Sequence, residues 1–267
     1  MRLIAHISDL HFGREDPVAL AALGRDLEAM APDLIAVSGD LTQRARTEEF
    51  AAARVFLSGL RRPLVVVPGN HDLPLFAFWH RLLGPFDRFR RHFGEERLPA
   101  FADAELAVIG VVTPHAALWK RGRLAAPQLA RVAARLSEMP RDRLRVVVAH
   151  HPMVAGEDPG GERARGANAA LDALEAASVD VVLSGHHHRS WSGGSGIHRP
   201  AHGGRAMVMV HAGSAVSDRL RREANAYNLL RCDGERLTIT VRALGDAGFH
   251  EIASSGFHRG VAGWAPL

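Results

Sequence analysis

A single cysteine, Cys232, excludes an internal disulfide framework and points to a reducing compartment. Lysine is nearly absent too. Lys120 is the only one, so almost all of the 33 basic side chains are arginine. No apolar run approaches the roughly 20 residues of a membrane-spanning helix. The opening MRLIAHISDLHF breaks off at Asp9, too early for the hydrophobic stretch of a secretory signal. The expectation is a cytoplasmic protein without a membrane span. An excess of one charge is also missing, since 33 Lys and Arg against 29 Asp and Glu leave +4. Acidic residues are interspersed among the arginines, whereas a nucleic-acid surface needs a concentrated positive stripe, so no nucleic-acid partner is expected. The arginine excess reads as a compositional bias toward Arg and Ala. Its functional alternative is phosphate affinity, because a guanidinium pairs bidentately with phosphate.

What remains has the composition of an ordinary globular protein, 47% hydrophobic and 23% charged, and 267 residues suit one large domain. Strands and helices alternate. Apolar runs predict strands at Leu3–Ile7, Leu34–Val37, Leu64–Val67, Leu106–Val112, Arg145–Ala149 and Val181–Ser184. Helical spacing predicts helices over Val18–Met30, Thr47–Leu60, Pro127–Met139 with proline at its first position, and Asn168–Ala177. The C-terminal part changes character. Ala206–His211, Tyr227–Arg231 and Arg236–Arg242 read as strands, the last two joined by a turn at Asp233-Gly234. Ser190–Gly204, rich in Gly, Ser and His, reads as a connecting loop. The fold class is α/β with buried sheets.

Five short motifs follow directly on apolar runs: Asp9-Leu10-His11, Gly39-Asp40, Gly69-Asn70-His71-Asp72, His150-His151-Pro152 and Gly185-His186-His187-His188. In α/β sheets, ligands bind at the carboxyl ends of strands, so these distant polar residues are expected to converge on one edge. Asp and His supply hard oxygen and borderline nitrogen donors, and no thiolate accompanies them, which argues against a structural zinc site. Two metals held about 3.5–4 Å apart share a bridging ligand, and Asp40 is the natural carboxylate for it. If the chain is extended there, Asp9 and His11 point the same way, as do His186 and His188, while His187 points away. Asp72 would then face away from His71.

The ordered set D-x-H, G-D, G-N-H-D, H-x-P and G-H-x-H resembles the calcineurin-like metallophosphoesterase family. Within it, the chain is similar to the small bacterial class III cyclic-nucleotide phosphodiesterases and glycerophosphodiesterases. The resemblance implies a four-layer α-β-β-α sandwich of two facing mixed sheets, with a dinuclear centre at one edge. It implies a first divalent ion held by Asp9, His11, Asp40 and His188, and a second by Asp40, Asn70, His150 and His186. Mn, Fe, Co and Zn all suit such mixed donors. It further implies hydrolysis of a small-molecule phosphodiester by in-line attack of a metal-bridging hydroxide, with His71 as the catalytic histidine. In many relatives an acid stands three positions after the bridging aspartate and orients that histidine. Here the position is Gln43, which leaves the orientation of His71 in question.

Residues 73–101 form an aromatic-rich insert within the single domain, with Phe76, Phe78, Trp79, Phe86, Phe89, Phe93 and Phe101 among its residues. Phe86, Phe89 and Phe93 fall at helical spacing. The segment reads as core packing, as a surface for a homo-oligomer, or as a lid in which Trp79 and Phe86 grip the substrate. Arg44 reads either as a phosphate contact or as a solvated arginine near a helix start. Alternatives to a phosphodiesterase are a phosphomonoesterase or a nucleotide-sugar or lipid pyrophosphatase using the same ions. A metal-free binding scaffold would require lost ligands, and every ligand position is filled.

Overall fold

Strands buried on both faces need cover on both sides, and the chain supplies it in two halves. The computed structural model describes residues 1–75, 78–96, 98–156, 161–195, 205–218 and 223–267. The first half runs β1 (Arg2–Ile7), α1 (Pro17–Met30), β2 (Leu34–Val37), α2 (Thr47–Gly59) and β3 (Leu64–Val66). Two short helices follow, α3 (Phe78–Leu83) and α4 (Asp87–Phe93). Then come β4 (Ala100–Ala102), β5 (Leu106–Val111), α5 (Ala126–Ser137), β6 (Leu144–Ala149), α6 (Ala167–Ala176) and β7 (Val181–Ser184). The chain ends through β8 (Trp191–Gly194), β9 (Val208–His211), β10 (Ala226–Asp233), β11 (Arg236–Gly245), β12 (Gly248–Gly260) and β13 (Gly263–Pro266).

These strands form two mixed sheets, ordered β13-β12-β11-β10-β1-β2-β3 and β4-β5-β6-β7-β9-β8. Alternate residues of each strand face different layers, as the pleat requires. Ile4, Ala36 and Val65 of the first sheet pack against Val108, Val146 and Leu183 of the second. On the outer face of the first sheet, Ala5, Ile35 and Val37 meet Leu23 and Leu27 of α1 and Phe50 and Leu57 of α2. On the outer face of the second, Ile109, Val147 and Val182 meet Leu129 and Val132 of α5 and Leu171 of α6. The result is the expected α-β-β-α sandwich. Parallel pairing aligns the strand ends, with Ile7 opposite Val37 and Val37 opposite Val66. The segments after β1, β2 and β3 therefore emerge side by side. No helix among the described residues is long and apolar enough to cross a membrane.

Most predicted elements lie within a residue or two of where the structure places them. Helix α5 starts at Ala126, so Pro127 is its second residue rather than its first. The predicted strand over Ala206–His211 begins only at Val208, because Ala206 instead bridges to Gly263. Strand β8 occupies the start of the expected Ser190–Gly204 loop, and 196–204 lie outside the described residues. The 13-residue β12 escapes sequence reading because six consecutive residues, His250 to Ser255, are exposed and carry no alternation.

One edge of the sandwich is closed by Asp180, whose side chain is 3% exposed. Its carboxylate accepts from Trp264 Nε1 at 2.9 Å and from the backbone N–H of Arg145 at 2.9 Å, and pairs with Arg259 at 3.1 Å. Trp264 itself is 2% exposed and lies in the inter-sheet core. The last strand of the first sheet is thus tied to the second. Trp264→Ala should lower unfolding free energy by about 3–5 kcal/mol in urea denaturation, and a loss below about 1 kcal/mol would contradict this role.

Candidate metal centre

Each strand end here turns sharply rather than running on. Asp9, His11, Asp40, His186 and His188 all have positive φ, between 47° and 73°. The expectation of extended backbone at Asp9–His11 and His186–His188 is therefore corrected. Left-handed turns bring these side chains to one place. The conformation costs about 1–3 kcal/mol per residue, though Asp and His tolerate it better than most. Neighbouring loops hold the turns through backbone bonds: Asp9 N–H to Gly39 O at 3.0 Å and His11 N–H to Asp40 O at 2.9 Å. Glycines make room for them. A Cβ on Gly69 would fall 2.1 Å from Asp40 Oδ1, and one on Gly185 would fall 1.9 Å from Ser8 Oγ.

The carboxylate of Asp40, 1% exposed, stands between two groups of donors. Oδ2 lies 3.8 Å from His11 Nε2, and Oδ1 lies 3.4 Å from His150 Nε2. On the first side, Asp9 Oδ1 lies 3.8 Å from His11 Nε2 and 3.5 Å from His188 Nε2. On the second, Asn70 Oδ1 is 3.1 Å from His150 Nε2 and 3.0 Å from His186 Nδ1. The two ring nitrogens are themselves 3.3 Å apart. All seven residues anticipated as ligands are brought together.

The orientation of these rings is fixed from behind. His150 Nδ1 donates to Ser38 O at 2.8 Å, which turns its Nε2 lone pair toward Asp40. His188 Nδ1 meets Ser214 Oγ at 2.5 Å, so Nε2 faces Asp9. Neither Ser38 nor Ser214 was legible as a site residue, because a serine signals nothing of its partner in sequence. Burial drives His11 down to about 3 although Asp40 and Asp9 oppose it, so its ring is neutral and its nitrogens can act as donors. His186 is also held low, mainly by burial and then by His150. Burial also acts against His150, but Asp40 and Asp9 outweigh it and raise its pKa. The carboxyl of Asp40 is held well below the usual range because His150, His71 and His11 outweigh its burial.

The donor set fits divalent cations. Asp9 Oδ1 and both ring nitrogens of His11 are buried and have no hydrogen-bond partner among the described residues. Buried polar atoms rarely stay unmatched, and each costs about 1–3 kcal/mol. Two imidazole nitrogens and an amide oxygen also converge within 3.0–3.3 Å of one another, a set that one cation could engage at once. His151 lies close to His150 and His186 but is not a candidate ligand, because Thr113 Oγ1 at 2.8 Å and Lys120 O at 2.7 Å engage its two nitrogens.

His71 stands beside this set, its ring 4.8 Å from that of His11. Its Nδ1 donates to the Gln43 carbonyl at 3.0 Å, and its N–H to Asp40 Oδ1 at 2.8 Å. Position 43 therefore orients the ring after all, through its backbone rather than a side-chain acid. The extended backbone expected at Asp72 is corrected, but its carboxylate turns to the neighbouring loop rather than to the His71 ring. Residues Asn70–Asp72 form a 3-10 turn, and the buried Asp72 carboxylate accepts from Leu41 N–H, Thr42 N–H, Thr42 Oγ1 and Gly69 N–H at 2.8–3.1 Å. It staples the two loops that carry Asp40 and Asn70. Burial and the charge of Asp40 push its carboxyl up to about 6 against those hydrogen bonds.

A cavity of about 390 Å³ opens onto Asp40, Asn70, His71, His186 and His188. Arg44, Trp79 and Phe86 are not among its lining residues. Trp79 is 69% exposed on α3, and Phe86 borders a separate cavity with Phe89 and Leu98. Phe89 is 5% exposed and, with Phe93, packs on Phe50 of the core, as the packing reading of the insert anticipates. Phe76 lies outside the described residues. His187 donates through Nε2 to Glu162 O at 2.9 Å, consistent with its exclusion from the ligands.

Solved structures share this architecture. A dimetal phosphatase of Danio rerio superposes with a TM-score of 0.66 over 96% of this chain and 98% of that chain, at 12% identity. The purple acid phosphatase PPD1 of yellow lupin gives 0.72 over 95% of this chain and 53% of that chain, also at 12% identity. Among curated proteins, the glycerophosphodiester phosphodiesterase GpdQ of Enterobacter lignolyticus is 38% identical over 81 residues, which is 26% of this chain and 29% of that protein's length. A Synechococcus protein named "Probable cyclic nucleotide phosphodiesterase" is 28% identical over 211 residues, 73% of this chain and 76% of that one. The calcineurin-like phosphoesterase profile matches residues 2–190, the stretch that holds all five strand-end motifs, and the chain accordingly belongs to the calcineurin-like phosphoesterase family.

Proposed function

We propose that this protein is a phosphodiesterase dependent on two divalent metal ions, acting on a small-molecule diester. The observation that carries the reading is the buried Asp40 carboxylate facing a nitrogen-bearing donor group on each side. One ion would be held by Asp9, His11, Asp40 and His188, the other by Asp40, Asn70, His150 and His186. When bound, such a pair supplies Lewis acidity toward phosphoryl oxygens and a nucleophile drawn from water at neutral pH. Asn70 is a neutral ligand, so the second site would keep more of that acidity than a carboxylate would leave it.

The chain's own residues do the rest. Ser38 and Ser214 fix the imidazoles before any ligand arrives, so little reorganisation is needed. His71 has its Nδ1 proton committed to Gln43 O, which leaves Nε2 as the atom to approach the substrate. As imidazolium, it would give its proton to the departing alkoxide, which is the step a diester with a poor leaving group most needs. The names of the two curated relatives, both phosphodiesterases, favour a diester over a monoester. The cavity's size suits a small ligand. In this reading residues 1–267 act as one domain, and the 73–101 insert buttresses α2.

Chelation should abolish hydrolysis of bis(p-nitrophenyl) phosphate, and added Mn²⁺ should restore it while raising the thermal unfolding midpoint. Turnover that survives exhaustive metal removal would reject the reading. His71→Ala should slow an alkyl diester such as a glycerophosphodiester by about 10²–10⁴-fold, but bis(p-nitrophenyl) phosphate far less, with bound metal unchanged. Equal losses on both esters would remove the general-acid role.

A further inference from the structure

The cavity that opens onto the candidate ligands is also lined by Lys120, the sole lysine among the 33 basic residues of the chain. The residue is exposed, and its backbone is held in place from behind. His151, 1% exposed, donates from Nε2 to the Lys120 carbonyl at 2.7 Å, and Nδ1 accepts from Thr113 Oγ1 at 2.8 Å. The same Thr113 oxygen accepts the backbone N–H of His151 at 3.2 Å. Two residues on, Gly122 presses on the His151 ring so closely that a Cβ would fall 2.3 Å from it. Thr113 O accepts from Arg123 N–H, and Gly122 O from Arg165 N–H, both at 2.8 Å. The His151 ring in turn lies 4.7 Å from that of His186. One buried imidazole thus separates the backbone of Lys120 from the ligand set.

Two other charged residues lining this cavity are paired. Arg189 faces Glu223 at 3.6 Å, and Glu162 pairs with Arg121 at 3.1 Å. The Lys120 ammonium enters no ion pair among the described residues. A flexible stem with three donors suits an anion whose distance varies, where a planar guanidinium would demand one geometry.

We propose that Lys120 reads the non-reacting arm of the substrate, so that the cavity prefers phosphodiesters whose arm ends in a carboxylate or similar anion over neutral or cationic ones. The inference rests on the phosphodiesterase reading for what sits at the metal edge, and its test separates the two. Calorimetry on the Mn²⁺-loaded protein would compare methyl(3-carboxypropyl)phosphinate, its 3-carbamoylpropyl counterpart and the 3-trimethylammoniopropyl analogue. Both arms join phosphorus through P–C bonds, so these analogues cannot be hydrolysed. The carboxylate should bind about tenfold tighter than the amide, and the cation weakest. Lys120→Met should bring the carboxylate-to-amide ratio to about one, and Lys120→Arg should restore part of the preference. Equal binding of carboxylate and amide by the unaltered protein, or a preference that survives Lys120→Met, overturns the inference. Turnover of bis(p-nitrophenyl) phosphate is followed in parallel. Its absence alongside a Lys120-dependent preference would reject the catalytic reading and leave the anion site standing. Failure to bind any of the three analogues would overturn the inference, and the catalytic reading would then stand or fall on turnover alone.

Discussion

A single carboxylate, Asp40, only 1% exposed and kept charged, is the constraint around which the site is organised. An unpaired carboxylate in such a place would cost several kcal/mol. Here it is offset by the partial charges of three imidazoles and by the His71 N–H. Its two oxygens face different donor groups, so any rotation would weaken one group to favour the other. That is the geometry a shared ligand between two cations requires, and it exists in the protein's own framework. Around it the oxygen and nitrogen donors crowd together, and Asp9 Oδ1 and the His11 nitrogens have no hydrogen-bond partner among the described residues.

Holding the cage open takes backbone that would otherwise relax. Five of the nine non-glycine residues with positive φ among the described residues are candidate ligands. Such strain persists only where the surroundings over-determine it. The surroundings here are the ladders of β1, β2 and β3, which end level with one another, and the Asp72 staple, which fixes the loop after β2 to the turn after β3. The sandwich sets the strand ends, the strand ends set the turns, and the turns aim the donors. Behind the donors, Ser38, Ser214 and Gln43 work through carbonyls and a hydroxyl to choose which nitrogen of each imidazole faces inward.

Much of this was legible from residue type and spacing. Apolar runs located β2 and β7 to the residue because strands buried on both faces are continuously hydrophobic. The five motifs stood out by their place just after such runs, and the seven ligand candidates within them came from the resemblance to the calcineurin-like family. The conformation of those turns was not legible. Asp-Leu-His spells the same letters whether extended or left-handed, and only the glycine contacts at 69 and 185 reveal how tightly the loops pass. Gln43 misled for a related reason, since a sequence shows a side chain and hides the carbonyl that does the orienting. Trp79 and Phe86 drew attention as aromatic residues near His71 in the chain, but the fold carries them away from the cavity. Lys120, some 50 residues downstream in sequence from His71, is brought to the cavity wall by a buried histidine that resembles a ligand and is not one.

The most direct measurement is anomalous diffraction at the manganese edge from crystals grown with Mn²⁺. Two peaks are expected, one on each side of the Asp40 carboxylate, the first within coordination distance of His11 and His188 and the second of His150 and His186. A single peak, or none in that cage while metal binds elsewhere on the protein, would contradict that arrangement.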